Sequence, residues 1–255
     1  MIVQRFGEKD KPVIVLLPGN MMSWRQFEHV IPLLEEDYHI LAVSIDGYDD
    51  MGTVFKSAED CAEKLEEYFR GNRIQEIALA FGESFGSATA AMLFHRQKVK
   101  IDSMIMSGPQ YMNAGILTKP LSWIIPRNQY RLIGRIQSMN KLPWLLRLYT
   151  RGDDEKLKGQ FRYAAKDISL ETLQNCMNEA LALYDEIETY EPDPVAKVSV
   201  WHGEKEPNMK KAIEKLKRAF PNAKVCRFKG FGHGEIMAHP ALMADEIRRF
   251  LDTEG

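Results

Sequence analysis

The five residues Gly82-Glu83-Ser84-Phe85-Gly86 set a serine between two glycines, just after an apolar run and just before an alanine-rich stretch. A serine at a strand-to-helix junction must project from a sharp, strained turn. Glycines two residues to either side remove side chains that would collide with the neighbouring strand and helix. A hydroxyl is a poor nucleophile near neutral pH and needs a base. His233 suits that role, because it lies in the glycine-flanked loop Gly230-Phe231-Gly232-His233-Gly234 directly after the last apolar run. The other histidines fall on expected helices or at strand ends. A neutral histidine in turn needs a carboxylate to fix its tautomer. Glu206, in Gly203-Glu204-Lys205-Glu206-Pro207, is the expected acid, with Glu204 its main competitor and Asp46 a distant one. The fourth piece is Pro18-Gly19-Asn20-Met21. Its turn offers the backbone N–H of Asn20 or Met21 beside that of Phe85, two donors for a developing oxyanion. Together these residues suit attack on an acyl carbon.

The surrounding pattern explains how distant residues can meet. Val13–Leu17 and His39–Ile45 are solidly apolar and end in turns, as strands buried on both faces do. Ile74–Phe81, Ile101–Met106, Val195–His202 and Lys224–Phe228 read as further strands. Helical spacing is expected over Ser23–Glu36, Ala58–Phe69, Ser84–Arg96, Met209–Phe220 and Pro240–Leu251, with Ser23 a plausible N-cap. Alternating strands and helices predict an α/β fold, a mostly parallel sheet with helices on both faces.

The rhythm breaks between residues 110 and 194, which carry helical patterning without convincing strands. The expected organisation is a core of residues 1–109 and 195–255, interrupted by a helical cap at 110–194. Within this insertion, Tyr111–Ile168 holds eleven Lys or Arg against four Asp or Glu, and Ser169–Asp193 holds seven acids and no base. Solvated helix faces explain this, and a basic rim for an anionic substrate is the sharper reading. Met21, Met22, Phe85, Tyr111 and Met112 adjoin the loops named above and are candidates to line an apolar substrate pocket, or alternatively to fill core.

Bulk properties set the class. The 255 residues are 45% hydrophobic and 27% charged with net charge -2, ordinary for a globular protein and without a footprint for nucleic acid or an anionic membrane. Cys61, Cys176 and Cys226 are widely spaced and fit no zinc pattern, so free thiols in a reducing compartment are expected. No signal peptide or membrane-length apolar run is evident, so the expected location is the cytoplasm. The sequence is silent on oligomeric state.

From Val13 to Phe250 the chain resembles the α/β-hydrolase superfamily. The likeness rests on the order of its pieces: oxyanion loop, Gly-x-Ser-x-Gly elbow, cap insertion, acid turn, then Gly-x-Gly-His. The resemblance implies the α/β-hydrolase fold with a helical cap and a serine hydrolase using no metal or organic cofactor. It assigns Ser84 as nucleophile, His233 as base, Glu206 as acid, and the amides of Asn20 and Phe85 to the oxyanion. The implied partner is a small acyl substrate, most simply a carboxylic ester. Thioesters, lactones, amides and C–C bonds are cleaved with the same three residues, and a non-catalytic ligand-binding protein is the rival from another class. Serine at residue 84 argues against dehalogenase and epoxide hydrolase chemistry, which place aspartate there. The chain departs from the family pattern twice: Pro18 stands where the oxyanion loop usually has histidine, and Glu206 where the acid turn usually has aspartate.

Overall fold

The computed structural model describes residues 1–109, 115, 118–136 and 167–252. Nine strands appear among them: β1 (Ile2–Phe6), β2 (Val13–Leu17), β3 (His39–Ser44), β4 (Glu76–Ile77), β5 (Leu79–Glu83), β6 (Lys100–Ile101), β7 (Ser103–Ser107), β8 (Lys197–Gly203) and β9 (Lys224–Phe228). Seven form one sheet in the order β1-β3-β2-β5-β7-β8-β9, and β4 pairs with β6 in a small parallel ribbon. Only β1 runs antiparallel, against β3. The remaining pairs in the sheet are parallel.

The apolar runs lack polar alternation because both faces of the sheet are covered. In β2, Val13, Val15 and Leu17 enter one core cluster, and Ile14 and Leu16 enter the other. On the first face lie helices α2 (Ala58–Gly71), α3 (Gly86–Arg96), α5 (Leu170–Ile187) and α6 (Met209–Ala219). On the second lie a 3₁₀ turn (Trp24–Phe27), α1 (Ile31–Leu34) and α7 (Pro240–Asp252). Helix α2 shows why such segments fold: Ala58, Cys61, Ala62, Leu65 and Phe69 recur on one stripe, and Ser57 caps the start by accepting from the Asp60 N–H.

The structure redraws four expected elements. Ser23–Glu36 is not one helix but the 3₁₀ turn followed by the four residues of α1. Pro32 lacks an N–H, and a longer helix would drive its ring into the carbonyl of Glu28. Ser23 precedes the turn in extended backbone and makes no side-chain cap. The expected strands at 74–81 and 101–106 are each split, at Ala78 and Asp102. Ala78 donates its N–H to Val13, and Asp102 donates its own to Ile77, so the chain steps from the ribbon into the main sheet there. The expected helix at Ser84 starts two residues later, at Gly86.

Within the insertion, α4 (Thr118–Ile136) and α5 pack together, joined by a 2.7 Å hydrogen bond from Gln174 Nε2 to the Ser122 carbonyl. Helix α5 also reaches the main core through Leu173, Cys176, Leu183, Tyr184 and Ile187. Its Glu179 accepts the N–H of Ala58, capping α2 from outside. No helix of the described residues is long and apolar enough to cross a membrane.

Candidate active site

Parallel pairing brings the C-terminal ends of the central strands to one edge. The registers Leu17↔Gly82, Glu83↔Ser107, Ser107↔Trp201 and Gly203↔Phe228 put the loops after β2, β5, β8 and β9 side by side. In open α/β sheets this edge is where ligands bind.

Ser84 follows β5 with φ at +48°, a left-handed conformation that a right-handed helix cannot contain. That is why α3 waits until Gly86. A non-glycine residue held this way stores about 1–3 kcal/mol and persists only where its surroundings enforce it. Here the Ser84 N–H donates to the Ser107 carbonyl at 2.6 Å. A side chain at Gly82 would strike the backbone of Gly86 and Ser87, and one at Gly86 would strike the Leu17 carbonyl. The turn thus packs tightly between strand and helix, and the hydroxyl projects outward.

The histidine loop is anchored by aromatic contacts. Phe81, Trp201 and Phe228 meet edge-to-face across the second face of the sheet, with centroids 5.7 and 5.5 Å apart. Phe231 stacks on Phe228 at 5.7 Å and on His239 at 4.6 Å. The Lys205 N–H donates to the Phe231 carbonyl, joining the acid turn to this loop. Two residues on, His233 Nε2 lies 2.9 Å from Ser84 Oγ, and its Nδ1 lies 2.8 Å from Glu206 Oε2.

Glu206 has a buried side chain, and its second oxygen accepts the Gly203 N–H at 2.6 Å. A carboxylate acceptor fixes Nδ1 as the N–H, which leaves Nε2 to accept from the serine hydroxyl. Glu204 turns the other way, to Arg227 at 2.7 Å and the Gly230 N–H at 2.8 Å. Asp46 is engaged by the terminal ammonium of Met1 and by Lys64. Burial of the imidazole disfavours its cation, but the Glu206 hydrogen bond and the charges of Glu83 and Glu206 outweigh burial and raise the His233 pKa.

The loop after β2 is held by side chains from two other segments. Gln26 accepts the Gly19 N–H at 2.8 Å, and the Tyr48 hydroxyl, itself buried, donates to the side-chain oxygen of Asn20. These contacts organise the loop where Pro18 replaces the usual histidine. Tyr48 also meets Cys176 of α5 at 3.0 Å, tying the loop to the insertion. Met21 adopts φ +68° and packs against the core, half-buried, and Met22 is half-buried as well. The Phe85 ring turns inward, buried and edge-on to Phe55 at 5.1 Å, so it fills core instead of lining a pocket. Tyr111 and Met112 lie outside the described residues. Among the described residues no group of His, Cys, Asp and Glu is arranged to hold a metal ion.

Comparison with known proteins agrees with this fold. The profile of the alpha/beta hydrolase family matches residues 14–246. The chain belongs to the alpha/beta hydrolase family. Among solved structures, it is similar to a protein of Desulfitobacterium hafniense assigned to the alpha/beta hydrolase family, with TM-score 0.79 and 20% identity over 98% of this chain and 100% of that one. It is also similar to a structure from a study of carboxylesterases of Nitrososphaera gargenis (TM-score 0.73, 16% identity, 98% and 93% covered). An esterase of Exiguobacterium antarcticum is comparably similar (TM-score 0.73, 15% identity, 98% and 95% covered). At these identities the likeness is one of fold. No curated protein matches the sequence.

In this alpha/beta hydrolase, four residues that sequence reasoning passed over belong to the site. Gln26 and Tyr48 act through the loop after β2, and neither has a local signal. Gly108, at φ +63°, lies beneath the imidazole, where a β-carbon would come within 2.9 Å of His233 Cε1 and 3.2 Å of Glu206 Oε2. The fourth is Glu83, the residue before the serine. It is almost fully buried, and its signal was visible: a carboxylate at the end of an otherwise apolar strand.

Proposed function

We infer that this protein is a serine hydrolase that cleaves a carboxylic ester, or a related acyl bond, through an acyl-enzyme on Ser84. The observation that carries the reading is the hydrogen-bonded chain from Ser84 Oγ to His233 Nε2 and from His233 Nδ1 to Glu206 Oε2, at 2.9 and 2.8 Å.

In the proposed reaction, the Ser84 oxygen attacks the acyl carbon as its proton passes to His233 Nε2. The carbonyl oxygen, now an oxyanion, accepts hydrogen bonds from the backbone amides of Phe85 and Asn20. One such donor is worth roughly 10²–10³ in rate. Glu206 holds the imidazolium, which then protonates the leaving alkoxide. Water, deprotonated by His233, hydrolyses the acyl-enzyme and restores both groups. The proposed partner is a small acyl substrate bound beside Met21 and Met22 under a cap drawn from residues 110–194.

A fluorophosphonate probe tests this directly. The protein is expected to label at one site, and labelling is expected to disappear in Ser84→Ala but survive in Ser122→Ala on α4. A panel of p-nitrophenyl esters of varied acyl length, run beside thioesters and lactones, then identifies the bond cleaved. No labelling of the folded wild-type protein sinks the reading and favours a ligand-binding role.

A second prediction follows from the glycine beneath the imidazole. Gly108→Ala is expected to lower kcat on the best ester of that panel about 10²-fold, since a shift of about 1 Å in a reacting group has effects of that size. Thermal unfolding should fall by a few degrees, because alanine at φ +63° is strained, while the new methyl meets two side chains and not the sheet. An unchanged kcat would mean that His233 need not sit where it does.

A further inference from the structure

We propose that Glu83, packed against the loop that carries His233, acts with Glu206 as a second carboxyl and helps hold the imidazolium that forms during turnover. The proposal rests on the serine-hydrolase reading above and adds a positioning residue to it.

Glu83 ends β5, one residue before Ser84, and is 1% exposed. Its side chain lies in a slot between two of the site's loops. A β-carbon placed on Gly19 would be 3.7 Å from its Cγ, and one on Gly234, next to His233, would be 3.3 Å from its Oε1. Its other oxygen, Oε2, is buried without a hydrogen-bond partner. A buried, unpartnered carboxyl oxygen is destabilising by several kcal/mol if charged, and still unfavourable if neutral. Such a group calls for a reason. The fold offers no structural one, since an apolar side chain would fill the end of a buried strand without that penalty.

The charges around it supply the reason. The groups that act on Glu83 are the imidazole of His233 after β9, the carboxylate of Glu206 after β8, and the hydroxyl of Ser107 at the end of β7. The loop after β2 presents the Gly19 backbone. Burial dominates and pushes the Glu83 carboxyl up to about 7, against the pull of His233 and Ser107 and with the push of Glu206. Glu83 therefore changes charge in the range where His233 works. Each group favours the charged form of the other, and Glu83 in turn helps to raise the His233 pKa. With a second carboxyl packed beside the loop that carries the imidazole, the cation that forms as Ser84 gives up its proton is stabilised by the charge of Glu83 as well as by Glu206.

Glu83→Gln keeps the shape and removes the charge, and fluorophosphonate labelling of Ser84 reports on His233 without knowledge of the substrate. Neutral His233 is the active form, so the labelling rate rises with pH through the imidazole pKa. Removing the Glu83 charge should lower that pKa. The acid limb is expected to move about one pH unit down, and the plateau rate to fall by up to about tenfold, the same coupling expressed as a rate. A purely structural role would change the plateau or the folded fraction and leave the limb where it is. A limb that stays put or moves up overturns the proposal.

If Glu83→Gln does not fold, the wild-type protein decides. The His233 ring signals, followed by NMR across pH 5 to 9, are expected to titrate in two steps, as coupled groups do. A single step of ordinary slope overturns the coupling. Wild-type protein that fails to label would sink the hydrolase reading instead, and the NMR titration would still answer for Glu83.

Discussion

Ser84→Ala and His233→Ala are each expected to lower kcat by roughly 10⁶, and the double variant by no more than either alone. The equality follows from the geometry. Ser84 Oγ and His233 Nε2 share one hydrogen bond of 2.9 Å, so removing the imidazole leaves a hydroxyl with no base, and removing the hydroxyl leaves a base with nothing to activate. What remains in every variant is binding and the oxyanion amides, which still give roughly 10³–10⁴ over water. Single-turnover kinetics on the best p-nitrophenyl ester measure this, because they separate acylation from release. If His233→Ala retained a tenth of wild-type acylation, another group would be activating the serine. If the two losses multiplied, Ser84 and His233 would not be acting as one unit.

The site was legible in the sequence to the extent that its signals were local. Gly82, Ser84 and Gly86 reveal a tight strand-to-helix turn because the collisions that exclude side chains occur within five residues of chain and one neighbouring strand. The glycines around His233 likewise announce a loop able to cross the strand ends. Contacts between distant segments left no such mark. Gln26 and Tyr48 organise the Gly19–Asn20 loop from seven and 28 residues away, and nothing near either residue indicates it. The fold shows the same division. Runs such as Val13–Leu17 gave their strands directly, since burial on both faces demands unbroken apolar residues. The steps at Ala78 and Asp102 depend on which strand each amide meets, which no apolar pattern records. Pro32 could have been read as the end of the expected helix, and the apolar spacing of Phe27, Ile31 and Leu34 concealed it. Glu83 differs from these: its carboxylate at the end of an apolar strand is a local signal, but it occupies the variable position of a motif defined by its fixed members.

The acid turn offers two glutamates two residues apart, and only their surroundings separate them, which makes their variants a sharp test. Glu206→Gln is expected to lower kcat about 10⁴-fold, as loss of the correct histidine tautomer does. The reason lies in the second oxygen. Glu206 Oε1 accepts the Gly203 N–H at 2.6 Å, and that residue is buried at the end of β8. Glutamine must therefore give its carbonyl oxygen to Gly203, which turns its NH₂ toward His233 Nδ1. The imidazole then accepts at Nδ1 and carries its proton on Nε2, where it can no longer take one from Ser84. Thermal stability should change little, since the shape and the Gly203 hydrogen bond are kept. Glu204→Gln should stay within about threefold of wild type, because its partners are the exposed Arg227 and the Gly230 N–H, and exposed ion pairs are worth about 0–1 kcal/mol. Matched kcat measurements on the two variants decide the matter. A larger loss in Glu204→Gln than in Glu206→Gln would mean that the carboxylate behind His233 during turnover is not the one 2.8 Å from its Nδ1.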